Sequence, residues 1–171
     1  NTSASILVNP GGSSYTPNHN VLLDMSGLGT FTANVNTMQI GFADGGLTTV
    51  NLASTNTITA NEVTVGLNGW NGGGTLRLGQ TNTINTDLLR VSAPSPQSGY
   101  GTINFNTGLS SPTVQLRAKD GTSRIANVQV GYVSNTSGPS PGLMDFNGGS
   151  VDALFGAVTL GISDASLLGQ S

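Results

Sequence analysis

The stretch from Val50 to Gly74, VNLASTNTITANEVTVGLNGWNGGG, returns in degenerate form as LRLGQTNTINTDLLRVSAPSPQSGYG at Leu76 to Gly101. A chain that repeats itself at such a period stacks like units on one another, and the repeat then dictates the whole fold. The clearest marker is an apolar-x-apolar-Gly run: Met38-Gln39-Ile40-Gly41, Val63-Thr64-Val65-Gly66, Val128-Gln129-Val130-Gly131 and Val158-Thr159-Leu160-Gly161. A fifth copy, Leu89-Arg90-Val91-Ser92, has Ser in place of Gly. Measured from 38 to 63, 89, 128 and 158, the start-to-start spacings are 25, 26, 39 and 30.

A second marker opens each coil: Leu23-Asp24-Met25, Val50-Asn51-Leu52, Leu76-Arg77-Leu78, Ile103-Asn104-Phe105 and Met144-Asp145-Phe146. A third lies between the two, as Thr30-Phe31-Thr32, Thr57-Ile58-Thr59 and Thr83-Ile84-Asn85, with weaker copies at Thr113-Val114-Gln115 and Ser150-Val151-Asp152. Every run alternates apolar and polar residues, which is the period-two pattern of a strand with one buried face. The runs are too short, and too rich in Thr, Val and Ile, for helices.

The expected fold is therefore all-β, a right-handed parallel β-helix (solenoid) with about five coils of roughly 26 residues and three short strands per coil. At about 4.8 Å per coil its core would be about 24 Å long. Stacking places Leu23, Val50, Leu76, Ile103 and Met144 in one inward column, with Asp24, Asn51, Arg77, Asn104 and Asp145 beside them on the outside. No like charges are adjacent in that outward column, as a ladder requires.

Residues 1–20 read as a lead-in and capping segment, 21–161 as the solenoid, and 162–171 as the start of a further coil or an assembly contact. In the first segment Ser5-Ile6-Leu7-Val8 is a strand candidate ahead of the Asn9-Pro10-Gly11-Gly12 turn signal. The period lengthens between Thr102 and Met144, where extra residues fall in Arg117 to Ile125 and in Ser134 to Gly142. Insertions in solenoids sit at turns. The chain opens at Asn1 without Met or a signal-peptide pattern, which reads as a mature or excised segment.

The Gly-rich coils, the N-T-I-T/N segments at Asn56 to Thr59 and Asn82 to Asn85, and the x-V-G endings resemble the β-strand repeats of autotransporter passenger domains and related giant surface proteins. MDFNGGSVDALFGAVTLG at Met144 to Gly161 is similar to repeats in large secreted proteins of that kind. The resemblance spans about Leu22 to Gly161 and implies a right-handed parallel β-helix outside the cell. The lengthened fourth coil departs from the pattern.

Charged residues make up only 8% of the chain and the net charge is −3. The five basic residues form no run, which argues against a nucleic-acid partner. No apolar stretch approaches the length of a membrane span. Cysteine is absent, so no disulfide framework or thiolate metal site exists. Thr, Asn and Gly suit turns and exposed strand positions, and the periodic apolar residues argue against disorder.

Many β-helices cleave polysaccharides, which needs clustered carboxylates, or a carboxylate beside Arg or Lys. Here Asp24, Asp44, Glu62, Asp87, Asp120, Asp145, Asp152 and Asp164 scatter over different columns, and Asp44-Gly45 and Asp120-Gly121 are turn pairs. His19, the single histidine, lies in an Asn/Pro loop with no neighbouring carboxylate or nucleophile elbow. Neither a phosphate-binding loop nor a calcium repeat is present, so the expectation is no catalytic residue, no cofactor and no metal.

The expected role is a non-catalytic extracellular module of a surface adhesin, stalk or fibre, with a carbohydrate-binding or polysaccharide-degrading β-helix as the alternative. Three sets of residues could carry interactions. Phe42, Trp70, Tyr100 and Tyr132 follow or flank the Gly-marked turns and could form a partner- or glycan-stacking edge, or simply shield the core end. Ile6, Leu7, Val8, Leu167 and Leu168 are uncharged ends that could contact another copy of the chain or a further coil. Asn1 and Asn135 open N-x-S/T sequons and would carry glycans only in a eukaryotic source. An outward Thr array (Thr30 and Thr32, Thr57 and Thr59, Thr83 and Asn85) could order water or ice, although Thr favours exposed strands in any case and this array fades after three coils.

Overall fold

In a computed structural model of the chain, the described residues are 3–9, 20–41, 46–67, 72–93, 99–134 and 138–163. Among them the secondary structure is all β, with no helix. In chain order the strands are β1 (Ser5–Val8), β2 (Val21–Asp24), β3 (Thr30–Asn34), β4 (Thr37–Ile40), β5 (Leu47–Asn51), β6 (Thr55–Leu67), β7 (Gly72–Leu78) and β8 (Thr81–Ala93). They continue as β9 (Gly99–Phe105), β10 (Thr113–Arg117), β11 (Ile125–Ser134), β12 (Gly138–Ser140), β13 (Gly142–Asp145), β14 (Ser150–Ala153) and β15 (Phe155–Ser163).

The coil-opening runs build a five-stranded parallel sheet in the order β13-β9-β7-β5-β2. Its register is the one that the alternation predicts: Leu23 faces Val50, Val50 faces Leu76, Leu76 faces Ile103, and Ile103 faces Met144. Val50, Leu76 and Ile103 are buried, whereas Leu23, on the edge strand, is exposed.

The remaining runs form a ten-stranded sheet. In the central coils the middle run and the Gly-marked run are not two strands: β6 and β8 each pass through both, 13 residues at a time. Shorter strands pair in parallel with their halves, β3 and β4 on β6, and β10 and β11 on β8. β14 and β15 extend the stack beyond β10 and β11. β1 adds a rung at the other end, with Ile6 on Met38 and Val8 on Ile40.

The Gly-marked runs keep the expected register, Met38 to Val63 to Leu89 to Val128 to Val158. The middle runs keep it between Ile58 and Ile84 and between Val114 and Val151, but not at the other two steps. Phe31 pairs with Asn56, and Ala33 is the residue beside Ile58. Likewise Leu116, not Val114, faces Ile84. Two inward columns thus run through this segment: Ala33, Ile58, Ile84, Leu116 and Ala153 in one, and Phe31, Asn56, Asn82, Val114 and Val151 in the other.

The second column buries two amides, with Asn56 and Asn82 1% and 2% exposed. Asn56 Nδ2 and both polar atoms of Asn82 are satisfied by one another and by neighbouring backbone, whereas Asn56 Oδ1 is buried without a partner. Asn56 Nδ2 donates to Ala53 O at 2.7 Å and to Asn82 Oδ1 at 2.8 Å. Asn82 Nδ2 donates to Gly79 O and Thr113 O, and its Oδ1 accepts from the Gly79 N–H. A buried polar group is stable only with such partners. These amides tie three successive rungs together inside an otherwise apolar core.

Each Gly-marked run ends in a left-handed residue: Gly41, Gly66, Ser92, Gly131 and Gly161 have φ between 65° and 77°. At Gly41 the strand has ended, whereas the other four lie inside their strands, with Leu67 still paired to Ala93 and Tyr132 to Ile162 beyond them. At Gly66 a Cβ would also fall 2.2 Å from Tyr100 O of the next rung, so conformation and space both call for glycine. Ser92 adopts the same φ and donates from its Oγ to Gly99 O at 2.8 Å.

The extra residues of the lengthened coil sit at corners. Ala118 to Ile125 is a turn closed by Ala118 N–H to Ser123 O and by Gly121 N–H to Ala118 O. The other insertion is the antiparallel pair β11–β12, with Tyr132 opposite Ser140 and Ser134 opposite Gly138.

Candidate functional site

The aromatic edge is placed only in part. Phe42 and Trp70 lie outside the described residues, as does the side chain of Tyr132, whose backbone is in β11 of the ten-stranded sheet. Tyr100 is in β9 of the five-stranded sheet, 44% exposed and opposite Gly73 of the neighbouring rung. Leu167, Leu168, Asn1, Asn135 and His19 also lie outside the described residues. In β1 the side chains divide by face: Ile6 and Val8 are half-buried against the core, and Leu7 points outward, 63% exposed.

The six described carboxylates all serve local structure. Asp24 accepts from the Ser26 N–H and Oγ, and Asp145 from the Asn147 N–H. Asp120 accepts from the N–H groups of Thr122 and Ser123 and from Ser123 Oγ, closing the 118–124 corner. Asp87 receives the Lys119 N–H across one rung. Glu62 pairs with Arg90 at 2.8 Å and accepts from Thr64 Oγ1, and Asp152 pairs with Arg117 at 2.6 Å. Among the described residues no three His, Cys, Asp or Glu side chains come together in a group that could hold a metal ion. Nor, among the described residues, is any helix long and apolar enough to cross a membrane.

For Asp24, Asp120 and Asp152 these pairings lower the carboxyl pKa. The Ser123 hydroxyl and N–H, then the Thr122 N–H, hold Asp120 far below the usual carboxylate range. Ser26 does the same for Asp24 to a lesser degree, and the Arg117 and Gln115 side chains do it for Asp152. Hydrogen bonds to the ionised form are the main cause in each case. A carboxyl depressed in the fold contributes stability above its unfolded pKa of 3.8 and loses it as pH falls through the folded value. The melting temperature is therefore expected to fall steadily below about pH 4. The Asp120→Ala variant should melt lower at pH 7 and show a flatter acid limb, read by circular dichroism. An unchanged acid limb would remove Asp120 from this account.

One groove stands apart from these pairings. It measures about 420 Å³ and lies across the corner after the five-stranded sheet, lined by Asn51, Arg77, Gln80, Asn106 and Thr107 among others. Arg77, one of the residues that line it, is exposed. The side-chain oxygens of Asn51 and Asn104, its neighbours in the same column, are buried without a hydrogen-bond partner. The groove offers donors and acceptors of the kind that a saccharide uses, with no paired acid and base beside it.

At the last rung the core columns lie open. Val151 and Val158 are 46% and 51% exposed, although their register partners Val114 and Val128 are 1% and 2% exposed, and Leu160 is 71% exposed beside the half-buried Val130. Nothing among the described residues covers them.

Two features were not singled out in the sequence: the Asn56–Asn82 pair and the four-rung column Thr30, Thr55, Thr81 and Thr113. The N-T-I-T/N segments that carry the Asn pair, each preceded by a Thr of that column, are visible in the sequence, but the inward direction of their Asn is not. In comparisons with known proteins, no family model, no curated protein and no solved structure matches this chain.

Proposed function

We propose that the chain is part of a right-handed parallel β-helix of about five coils, and that it serves as a non-catalytic structural module of an extracellular adhesin, stalk or fibre. The parallel ladders and their shared register support the solenoid, and parallel crossovers are right-handed in about 98% of cases. The compartment follows from the resemblance to surface-protein repeats. The observation that carries the structural role is the open last rung. Among the described residues its apolar columns continue the core without cover, and its strands have no further partner on that side.

A further rung seated there would supply about 1.5–3 kcal/mol for each large side chain fully buried. It comes either from more repeats in the same chain or from a second copy stacked head to tail, an arrangement that builds a fibre when it does not close. Sedimentation velocity of the 171-residue chain over a wide concentration range tests the second route. The expected result is a coefficient that rises with concentration and a Leu160→Lys variant that stays monomeric. A wild-type monomer at the highest concentration would leave only covalent continuation.

The groove at Arg77 favours a second reading, a carbohydrate-binding β-helix. A glycan array separates the two: specific binding lost on Arg77→Ala supports that reading, and no binding leaves the module structural.

A further inference from the structure

The observed register turns the outward Thr residues of the ten-stranded sheet into a two-dimensional lattice. Thr30, Thr55, Thr81 and Thr113 share one column, continued by Ser150. Thr32, Thr57 and Thr83 share the column two residues along, continued by Gln115 and Asp152. All eight hydroxyl residues are exposed except Thr83, which is partly so. Among the described residues none of these hydroxyls has an intramolecular hydrogen-bond partner, so their donors and acceptors are left to water. The Thr positions of the first three rungs carry no charge, and the Arg117–Asp152 pair terminates the lattice.

We propose that this hydroxyl lattice binds ice. Hydroxyls on adjacent rungs are about 4.8 Å apart, the interstrand spacing. In tetrahedral water with O···O contacts of about 2.75 Å, second neighbours lie about 4.5 Å apart. Over the three intervals of the longer column the mismatch grows to only about 1 Å, well under one hydrogen-bond length. Between columns the separation is about 6.6 Å, two residues of strand, against a lattice repeat of about 7.3 Å, and only one such interval has to be crossed.

Two features keep the hydroxyls in place. Thr is stiff at χ1, so each Oγ1 has a fixed direction and each methyl a fixed place between waters. Beneath the lattice, the Asn56–Asn82 amide pair and the Ile58, Ile84 and Leu116 column hold the rungs at constant spacing. A preorganised array of uncharged hydroxyls orders water without first having to order itself. The other Thr column, Thr49, Thr75 and Thr102 in the five-stranded sheet, is single and lies beside Arg77. It has no second row to define a plane and serves as the control face.

The test is nanolitre osmometry with observation of crystal shape, on the wild-type chain and on Thr57→Tyr, Thr57→Val and Thr75→Tyr, each first checked for an unchanged circular dichroism spectrum. The expected result is faceted ice and a measurable hysteresis gap for wild type and Thr75→Tyr, loss of both for Thr57→Tyr, and a reduced gap for Thr57→Val. Should Thr57→Tyr fail to fold, Thr57→Val carries the comparison. Round, unshaped crystals with the wild-type chain overturn the proposal, as does equal loss in Thr57→Tyr and Thr75→Tyr. Either result leaves the end-stacking module untouched, since that rests on the open last rung.

Discussion

Gly79→Ala is expected to cost about 3 kcal/mol or more, beyond the usual 1–3 kcal/mol of an overpacked site. Gly79 makes the turn between β7 and β8, where a Cβ would lie 1.8 Å from Ala53 O and 2.9 Å from Asn56 Nδ2. The obstacle is the backbone of the adjacent rung, not the flexible end of a side chain. Relief would require the two rungs to part by more than an ångström, and both flanking ladders would lengthen with them. The Ala53 carbonyl is also the acceptor of the Asn56 amide, so moving it weakens the buried pair. Gly29→Ala is the matched control: nothing lies within 4 Å of its Cβ. Its expected effect lies within about 1 kcal/mol of zero, because a tolerated Gly→Ala change acts mainly on the unfolded chain. Urea unfolding of the two variants gives the comparison, and a Gly79→Ala midpoint equal to that of Gly29→Ala would refute the close approach of the rungs.

Asn82→Ala should destabilise by about 4 kcal/mol, because each buried partner left unpaired costs about 1–3 kcal/mol. The Gly79 N–H loses its acceptor, and the Gly79 and Thr113 carbonyls lose a donor. Asn56 keeps its bond to Ala53 O but loses the one to Asn82. A cavity in a core position adds to the loss. Asn82→Val separates the two contributions. Val114 holds the same register place in the next rung, so an apolar side chain fits the column, and the remaining cost belongs to the amide bonds. If Asn82→Val is as stable as wild type, the amide network carries no net stability and the account fails.

The opening and Gly-marked runs could be aligned from sequence because each repeats one apolar-x-apolar pattern with a fixed marker. The middle run could not, and the reason is geometric. A register slip of one residue exposes the whole apolar set, and alternation detects it at once. A slip of two returns every side chain to the same face, and alternation is blind to it. Aligning Phe31 with Ile58 and Val114 with Ile84 made that slip, because the true partners of Phe31 and Val114 are the buried amides Asn56 and Asn82. An inward Asn scores as an outward one by hydropathy. The same slip disguised the Thr lattice, since it set Thr30 beside Thr57 and hid Thr55, Thr81 and Thr113 as a column. The corner carboxylates were easier: Asp120-Gly121 reads as a turn, and Gly121 is left-handed with φ 78°.

The parallel ladders also set how such a stack bears load. In both sheets the hydrogen bonds join one rung to the next, so they lie along the stacking direction and not along the strands. Tension applied between the first and last rungs meets these bonds in series. They open one rung after another, each release paying out a coil of slack chain before the next is stressed. Force applied along a strand would meet all the bonds of a rung at once. If the rungs close into the proposed solenoid, such a stack would lengthen under pull one rung at a time, each step being the contour length of a single repeat.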